Sequence, residues 1–382
     1  MSTFITNCRI VSAGLDIANG SLEIKNDIIE NIFHNNITEI PTGSEIIDAQ
    51  RNIVFPGFID IHTHGAMGCD VTDGKVESIE KIAETKLREG VTTFCPTTLT
   101  LPFEDLKKAC ESVEEYKRNT TFAKVAGMHL EGPFISQKAI GAQNPKFIKK
   151  PDINFVRDLH NVSKVAIVSF AIEVEGASEL IAELNKMGIV PSCAHSSAIY
   201  ADFKKAKKYG LKNITHYCNQ ITPLHHREIG LVGAGLIDDD VKLELICDTI
   251  HVCPDMIQLT FKVRHADNIM LITDSMSASW LKDGNYKLGG LDVIVENCAA
   301  RIAASGALAG STLKYYQSLK NVYDITGIPL SEIIKVTSYN QASSLGLKDV
   351  GKIEKGYKAD LLIVDSNFKP LKAFVNGKKF IL

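Results

Sequence analysis

Six side chains able to hold a metal or move a proton recur along this 382-residue chain, each just past a short apolar run. His62 and His64 follow the run at residues 53–61, Glu131 the run at 125–130, and His195 the run at 189–194. His216 and Asp274 close the runs at 213–215 and 269–273. Imidazole nitrogens and carboxylate oxygens bind divalent cations such as zinc, and three of them on one ion leave a position open for water. Side chains two apart on a strand share a face, so His62 and His64 can chelate one ion. Glu131 ends an apolar strand ahead of Gly132-Pro133 and is costly to bury without a cation or a basic partner. Asp274 could take a proton from water and pass it to a departing nitrogen, or it could cap the next segment. Singly, each of these residues is as readily a satisfied buried group or a cap. His129 reads as support or as packing, and Asp248 with His251 as a capping or a substrate-binding pair. The signal is the shared placement at the carboxyl ends of strands.

Strands at residues 53–61, 91–97, 125–130, 165–171, 189–194, 213–217, 243–247 and 269–273 are expected. Amphipathic helices at 76–88, 103–118, 153–160, 177–187, 198–209 and 255–265 lie between them, and 312–325 and 330–341 follow. Eight parallel strands with helical crossovers predict an α/β fold, a (β/α)8 TIM-like barrel whose active site lies at the strand carboxyl ends. A doubly wound open sheet is the alternative, but it would not bring the first, third, fifth, sixth and eighth strands to one point. Both ends of the chain are rich in short strands and turns, including Asn19-Gly20 and Asn376-Gly377. They predict a small discontinuous β-sandwich domain from residues 1–52 and 350–382, with the barrel over 53–349.

Composition narrows the function classes. A formal charge of −3 offers nucleic acid no electrostatic footprint. Apolar runs stay strand-sized, short of the ~20 residues of a membrane span. The start, Met1-Ser2-Thr3-Phe4, has neither the basic nor the apolar part of an export signal. Nine scattered cysteines without a C-x-x-C pair suit free thiols in the cytoplasm. His225-His226-Arg227-Glu228 could grip a phosphate or be a solvated loop, and residues 306–312 could bring backbone N–H groups to a ligand or form a plain turn.

Several stretches together carry a resemblance. Pro56-Gly57-Phe58-Ile59-Asp60-Ile61-His62-Thr63-His64-Gly65, His129-Leu130-Glu131-Gly132-Pro133-Phe134-Ile135-Ser136 and Gly141-Ala142-Gln143 are three of them. Thr222-Pro223-Leu224-His225-His226-Arg227-Glu228, Thr273-Asp274-Ser275-Met276, Leu308-Ala309-Gly310-Ser311 and residues 351–361 complete the set. Over essentially its whole length the chain resembles the N-acetylglucosamine-6-phosphate deacetylases of the amidohydrolase superfamily. The resemblance implies hydrolysis of the acetamide of N-acetylglucosamine 6-phosphate to glucosamine 6-phosphate and acetate.

It also implies one or two divalent ions per subunit, zinc or iron first, manganese or cobalt otherwise. Glu131, His195 and His216 would hold the principal ion and His62 and His64 a second, with Glu131 bridging. Asp274 would be general base and then acid, and Gln143 would polarise the acetyl carbonyl. Asn219, Arg227 and His251 would contact the phosphate, and Gln220, Leu308 and Ala309 the substrate. In the family the arginine loop reaches in from a neighbouring subunit, which implies a homodimer with Arg227 contributed across the interface. The stretch Ser169-Phe170-Ala171-Ile172-Glu173 lacks the bridging lysine of cyclic-amide relatives. Departures at Gln220, Ile229, Thr249 and Trp280 bear on the sugar. They keep N-acetylgalactosamine 6-phosphate, or another N-acyl amine, as an alternative substrate. A non-catalytic scaffold is the alternative from another class.

Overall fold

The computed structural model describes residues 2–382 and divides their strands chiefly between two sheets. Eight parallel strands form the barrel, numbered in chain order: β1 (Phe58–Thr63), β2 (Val91–Thr98), β3 (Met128–Glu131), β4 (Val165–Phe170), β5 (Val190–Cys193), β6 (Asn213–Ile214), β7 (Lys242–Ile246) and β8 (Ile269–Ile272). Neighbours pair in that order, and the ring draws shut where the Asp274 N–H donates to the His62 carbonyl at 2.9 Å. The closure puts the carboxyl ends of β1 and β8 side by side, so His62, His64 and Asp274 must meet. Inside, Ile59, Ile61, Cys95, Ile167, Val190, Ile246, Met270 and Ile272 form one buried apolar cluster. The lumen is therefore a packed core, not a pore.

The crossover helices follow the apolar periodicity. Val76–Arg88 buries Ile79, Ile82, Ala83, Lys86 and Leu87 at three- and four-residue spacing, and it carries Glu77 in its first turn and Arg88 in its last. Phe103–Arg118 matches its expected bounds.

An eight-stranded sheet joins the two chain ends, running from Lys378–Ile381 through Pro370–Val375, Leu361–Val364 and Ile53–Pro56 to Ser2–Ser12 and beyond. It encloses its own core of Ile5, Ile10, Leu22, Val54, Leu361 and Phe374.

The expected strand at 53–61 is in fact two. Ile53–Pro56 pairs with Leu361–Val364 in the end sheet, and only Phe58–Thr63 enters the barrel. Gly57 is the switch: its N–H donates to Asp360 of the end sheet at 2.8 Å, while that of Phe58 donates to Gly90 beside the barrel at 3.0 Å. A side chain at Gly57 would collide with Thr92, 2.2 Å from an added Cβ.

Other elements also differ. The helix expected at 330–341 is a turn at Leu330–Ile333, a 3-10 segment at Ile334–Thr337 and a helix at Tyr339–Leu345. Helix Gly230–Ile237 is apolar on all sides, so it carries no amphipathic pattern to read. An antiparallel meander, Gly284–Leu288, Leu291–Glu296 and Ala299–Ile302, follows β8 and packs on Leu99, Met276 and Ala309. No helix among the described residues is long and apolar enough to cross a membrane.

Candidate metal centre and active site

Three of the six residues lie at sharp bends just past their strands. His195, His216 and Asp274 adopt left-handed backbone conformations, with φ of 45°, 31° and 49°. Among residues other than glycine, histidine and aspartate are enriched in this region, and such strain gathers at functional sites. Neighbouring backbone holds each bend: the Ser136 N–H donates to His195 O at 2.9 Å, Asn219 N–H to His216 O at 2.8 Å, and Ser311 N–H to Asp274 O at 2.7 Å.

The side chains converge on one buried carboxylate. Glu131 Oε1 lies 3.1 Å from His195 Nε2 and 3.0 Å from His216 Nε2. His64 Nε2 is 3.3 Å from Glu131 Oε2, and His62 Nε2 is 3.8 Å from Oε1. Two donor sets result, His62–His64–Glu131 and Glu131–His195–His216, sharing the glutamate. Three of the Nδ1 atoms face backbone carbonyls: His64 that of Thr97 at 3.2 Å, His195 that of Ala139 at 2.8 Å, and His216 that of Asn219 at 3.1 Å. A carbonyl only accepts, so each neutral ring keeps its proton on Nδ1 and turns the lone pair of Nε2 toward Glu131. Lone pairs set against carboxylate oxygens repel unless a cation sits among them. The donor set therefore fits a divalent ion.

Without an ion, the charges lean on one another. Burial pushes Glu131 up, but the surrounding His62, His195, His216 and His64 outweigh it and hold the carboxyl well below its ordinary range. Burial likewise opposes ionisation of Asp274, yet His62 and His64 bring it down to about 2. Asp274 Oδ1 stands 3.1 Å from His64 Nε2 and 3.4 Å from His62 Nε2. His129 is buried beside His62, its Nδ1 2.8 Å from Ile61 O and its Nε2 2.6 Å from Ser169 Oγ. Burial lowers it to about 4, so it is a neutral packing and hydrogen-bonding group.

Beneath His62 and Asp274 runs a buried ionic network. Lys86 Nζ lies 3.1 Å from Glu89, 3.3 Å from Asp60 and 3.0 Å from the Thr273 hydroxyl. Asp60 also accepts the N–H groups of His62 and Thr273, each at 3.3 Å, which ties β1 to β8 below the site. Trp280 donates to Glu89 at 2.8 Å with the Lys314 ammonium 4.3 Å from its ring centre, so it braces this network and does not line the cavity.

The cavity above the donors is lined by His64, Glu131, His195, His216, Gln143 and Asp274 together with Asn219, Gln220, His251 and Leu308. Gln143 donates to Glu131 Oε2 at 2.7 Å and accepts the Thr100 N–H at 2.7 Å, which leaves its second amide proton for a ligand. Asp248 holds His251 from behind: its Oδ2 meets Nδ1 at 2.6 Å and its Oδ1 accepts the His251 and Ile250 N–H groups. The pair therefore closes a tight turn and aims a side chain at the cavity; it caps no helix, because Pro254–Arg264 begins after Cys253.

Two expected substrate residues stand elsewhere. Ala309 is fully buried against the meander and its N–H is committed to Ala300 O at 3.0 Å, so it offers a ligand nothing. Arg227 is exposed on its loop, pairing with His226 at 2.7 Å, and does not line this subunit's cavity. Conversely, Leu99 and Leu288 line the cavity without a sequence expectation, while Ala142 and Gly310 line it from within the stretches at 141–143 and 306–312. The signal for Leu288 was legible: Gly289-Gly290 between alternating apolar runs marks a hairpin turn.

Comparison with known proteins agrees with this geometry. Residues 53–380 match the Amidohydrolase family. The chain is 33% identical over 98% of its length to the N-acetylglucosamine-6-phosphate deacetylase of Bacillus subtilis, covering 96% of that protein. It is 34% identical over 88% of its length to the N-acetylgalactosamine-6-phosphate deacetylase of Escherichia coli O157:H7, covering 90% of it. The crystal structure of N-acetylglucosamine-6-phosphate deacetylase from Thermotoga maritima superposes with a TM-score of 0.90 at 37% identity, covering 99% of this chain and 100% of that one. The chain belongs to the amidohydrolase family, in the branch that holds the N-acetylglucosamine-6-phosphate deacetylases.

Proposed function

We propose that this chain hydrolyses the acetamide of N-acetylglucosamine 6-phosphate, releasing acetate and glucosamine 6-phosphate. The observation that carries this reading is the set of imidazole lone pairs turned on one buried carboxylate beside an ionised aspartate. Glu131, His195 and His216 would hold the principal ion, and His62 and His64, with Glu131 again in reach, would hold a second. A divalent cation supplies Lewis acidity and brings the pKa of water from 15.7 toward about 7, and zinc, iron, manganese or cobalt suits these ligands.

The remaining work falls to the chain. Asp274, ionised at neutral pH, takes the proton of the attacking water and delivers it to the sugar nitrogen as the C–N bond breaks. Protonation matters because an amine leaves readily and an amide anion does not. The free amide proton of Gln143 donates to the acetyl oxygen as charge develops there. Asn219 and His251 orient the sugar phosphate from the cavity wall, with His251 aimed by Asp248. Arg227, exposed on its loop and outside this subunit's cavity, would serve a neighbouring subunit of a homodimer, as the family resemblance implies. Nine free thiols support a reducing compartment, the cytoplasm.

N-acetylgalactosamine 6-phosphate is the second reading. Gln220 lines the cavity, and one relative at 34% identity bears the galactosamine name. Thr249 and Trp280 no longer argue for it, since neither lines the cavity. Measuring kcat/KM on the two epimeric sugar phosphates decides the matter. A preference of at least tenfold for the glucosamine compound is expected, and the reverse order would move the assignment to the galactosamine compound.

A further inference from the structure

One site histidine differs from the others in what stands behind it. His64, His195 and His216 each have Nδ1 against a backbone carbonyl, whereas Nδ1 of His62 is buried and has no hydrogen-bond partner among the described residues. The side chain facing it is Glu244, whose Oε2 lies 3.9 Å away and is likewise buried and unpartnered. The Thr215 hydroxyl also leans on the Glu244 carboxyl and favours its ionised form, but its hydrogen bonds are to Ser169 at 2.7 Å and Ser192 at 2.6 Å. Two buried polar atoms left unpaired face to face are costly, and a movement of about 1 Å would join them in an ordinary hydrogen bond.

Glu244 sits between Leu243 and Leu245 in β7, a fully buried acid in an apolar strand. Its Oε1 accepts from Asn213 Nδ2 at 3.0 Å, and Asn213 Oδ1 accepts in turn from the Ser344 hydroxyl at 3.1 Å. The orientation of the Asn213 amide, and hence which oxygen of Glu244 is spare, is thereby set. Burial pushes the Glu244 carboxyl up to about 8 in the metal-free chain, and a cation on the neighbouring ligands pulls the other way.

We infer that Glu244 is a positioning residue for the second ion: Oε2 accepts the Nδ1 proton of His62 and so fixes the tautomer whose Nε2 lone pair binds metal. The inference rests on the two-ion reading. It gives β7, otherwise absent from the ligand set, a part in the site. It also accounts for an acid placed where no ligand or substrate reaches.

Glu244→Gln tests it without changing shape. With Asn213 Nδ2 still donating, the new amide must point its oxygen at Asn213 and its NH2 at His62. That forces Nδ1 to accept and moves the His62 proton to Nε2, where it blocks the metal. The double variant Asn213→Asp with Glu244→Gln reverses the polarity. Its new carboxylate at position 213 accepts from the new amide at position 244, which turns the amide oxygen back to His62.

The readout is titration of metal-free chains with Zn²⁺, following ions bound per chain, with thermal unfolding as the check on folding. Wild type should bind two ions. The single variant should keep one unchanged and bind the other about 10- to 100-fold more weakly, and the double variant should recover it. Two ions bound as tightly by the single variant would overturn the inference. So would a lost ion that the double variant fails to restore, because loss of charge or packing would then suffice. A wild-type chain that never takes a second ion would instead refute the two-ion reading, and this inference with it.

Discussion

Asp274→Asn is the sharpest perturbation the site allows. Asparagine has nearly the same shape and tolerates the φ of 49° at this position, where alanine would add backbone strain. The backbone anchors do not involve the side chain: the residue's N–H still reaches His62 O and its carbonyl still receives the Ser311 N–H. Glu131, His195 and His216 are untouched, so the principal ion should stay. Only the ability to take and return a proton is lost.

A positioned acid–base group contributes about 10²- to 10⁴-fold to rate. At about 1.36 kcal/mol per decade, that is ~2.7–5.4 kcal/mol of barrier. The loss should fall on kcat, with KM changing only a few-fold, because Asp274 acts on the proton in flight more than on the resting substrate. The assay is acetate release at saturating N-acetylglucosamine 6-phosphate, beside metal analysis and thermal unfolding of the same sample. Turnover within tenfold of wild type, with metal and fold intact, would remove Asp274 from the mechanism.

Three further outcomes follow from the geometry. Lys86→Met leaves the buried carboxylates of Asp60 and Glu89 without their cation, which should cost ~3–5 kcal/mol and appear as a clear fall in Tm; an unchanged Tm would mean the network is not stabilising. Asp248 is held below its ordinary value because His251 and two backbone N–H groups outweigh the effect of burial. Its contribution to stability is therefore present above the ordinary carboxylate pKa of about 4 and is lost as pH falls through the lower folded value. The Tm gap between wild type and Asp248→Asn should accordingly shrink from about pH 6 to about pH 3, and a gap that widens in acid would contradict the sign. Arg227→Ala should raise KM with little change in kcat. If Arg227 serves a neighbouring subunit, mixing that variant with Asp274→Asn should yield hybrids with one restored site; mixtures no more active than their parts would exclude it.

The residues that converge were legible because each interrupts an apolar run where a strand must end, and a barrel gives all such ends one meeting place. His62, His64, Glu131, His195, His216 and Asp274 come together for that reason. Partners across the barrel were harder to see. Glu244 stands inside its strand, 182 residues from His62 by their numbering, and nothing local ties them. The break at Gly57 escaped notice because residues 53–61 are apolar enough to suit either sheet; only the hydrogen-bond partners of Gly57 and Phe58 divide them. The backbone of Ala309 was expected to face a ligand, but the unforeseen meander takes it as a hydrogen-bond partner. Charge and spacing left the Arg227 loop open between a phosphate grip and a solvated turn; its assignment to a neighbouring subunit comes from the family resemblance alone.

One sample, measured three times, tests the central claim most directly: bound divalent metal and acetate release from N-acetylglucosamine 6-phosphate, as purified, after chelation, and after the ion is restored. One or two ions per chain are expected, with activity lost and regained in step with the ion at Glu131, His195 and His216. A chain stripped of metal that still releases acetate at the full rate, or one fully loaded that never does, would contradict it.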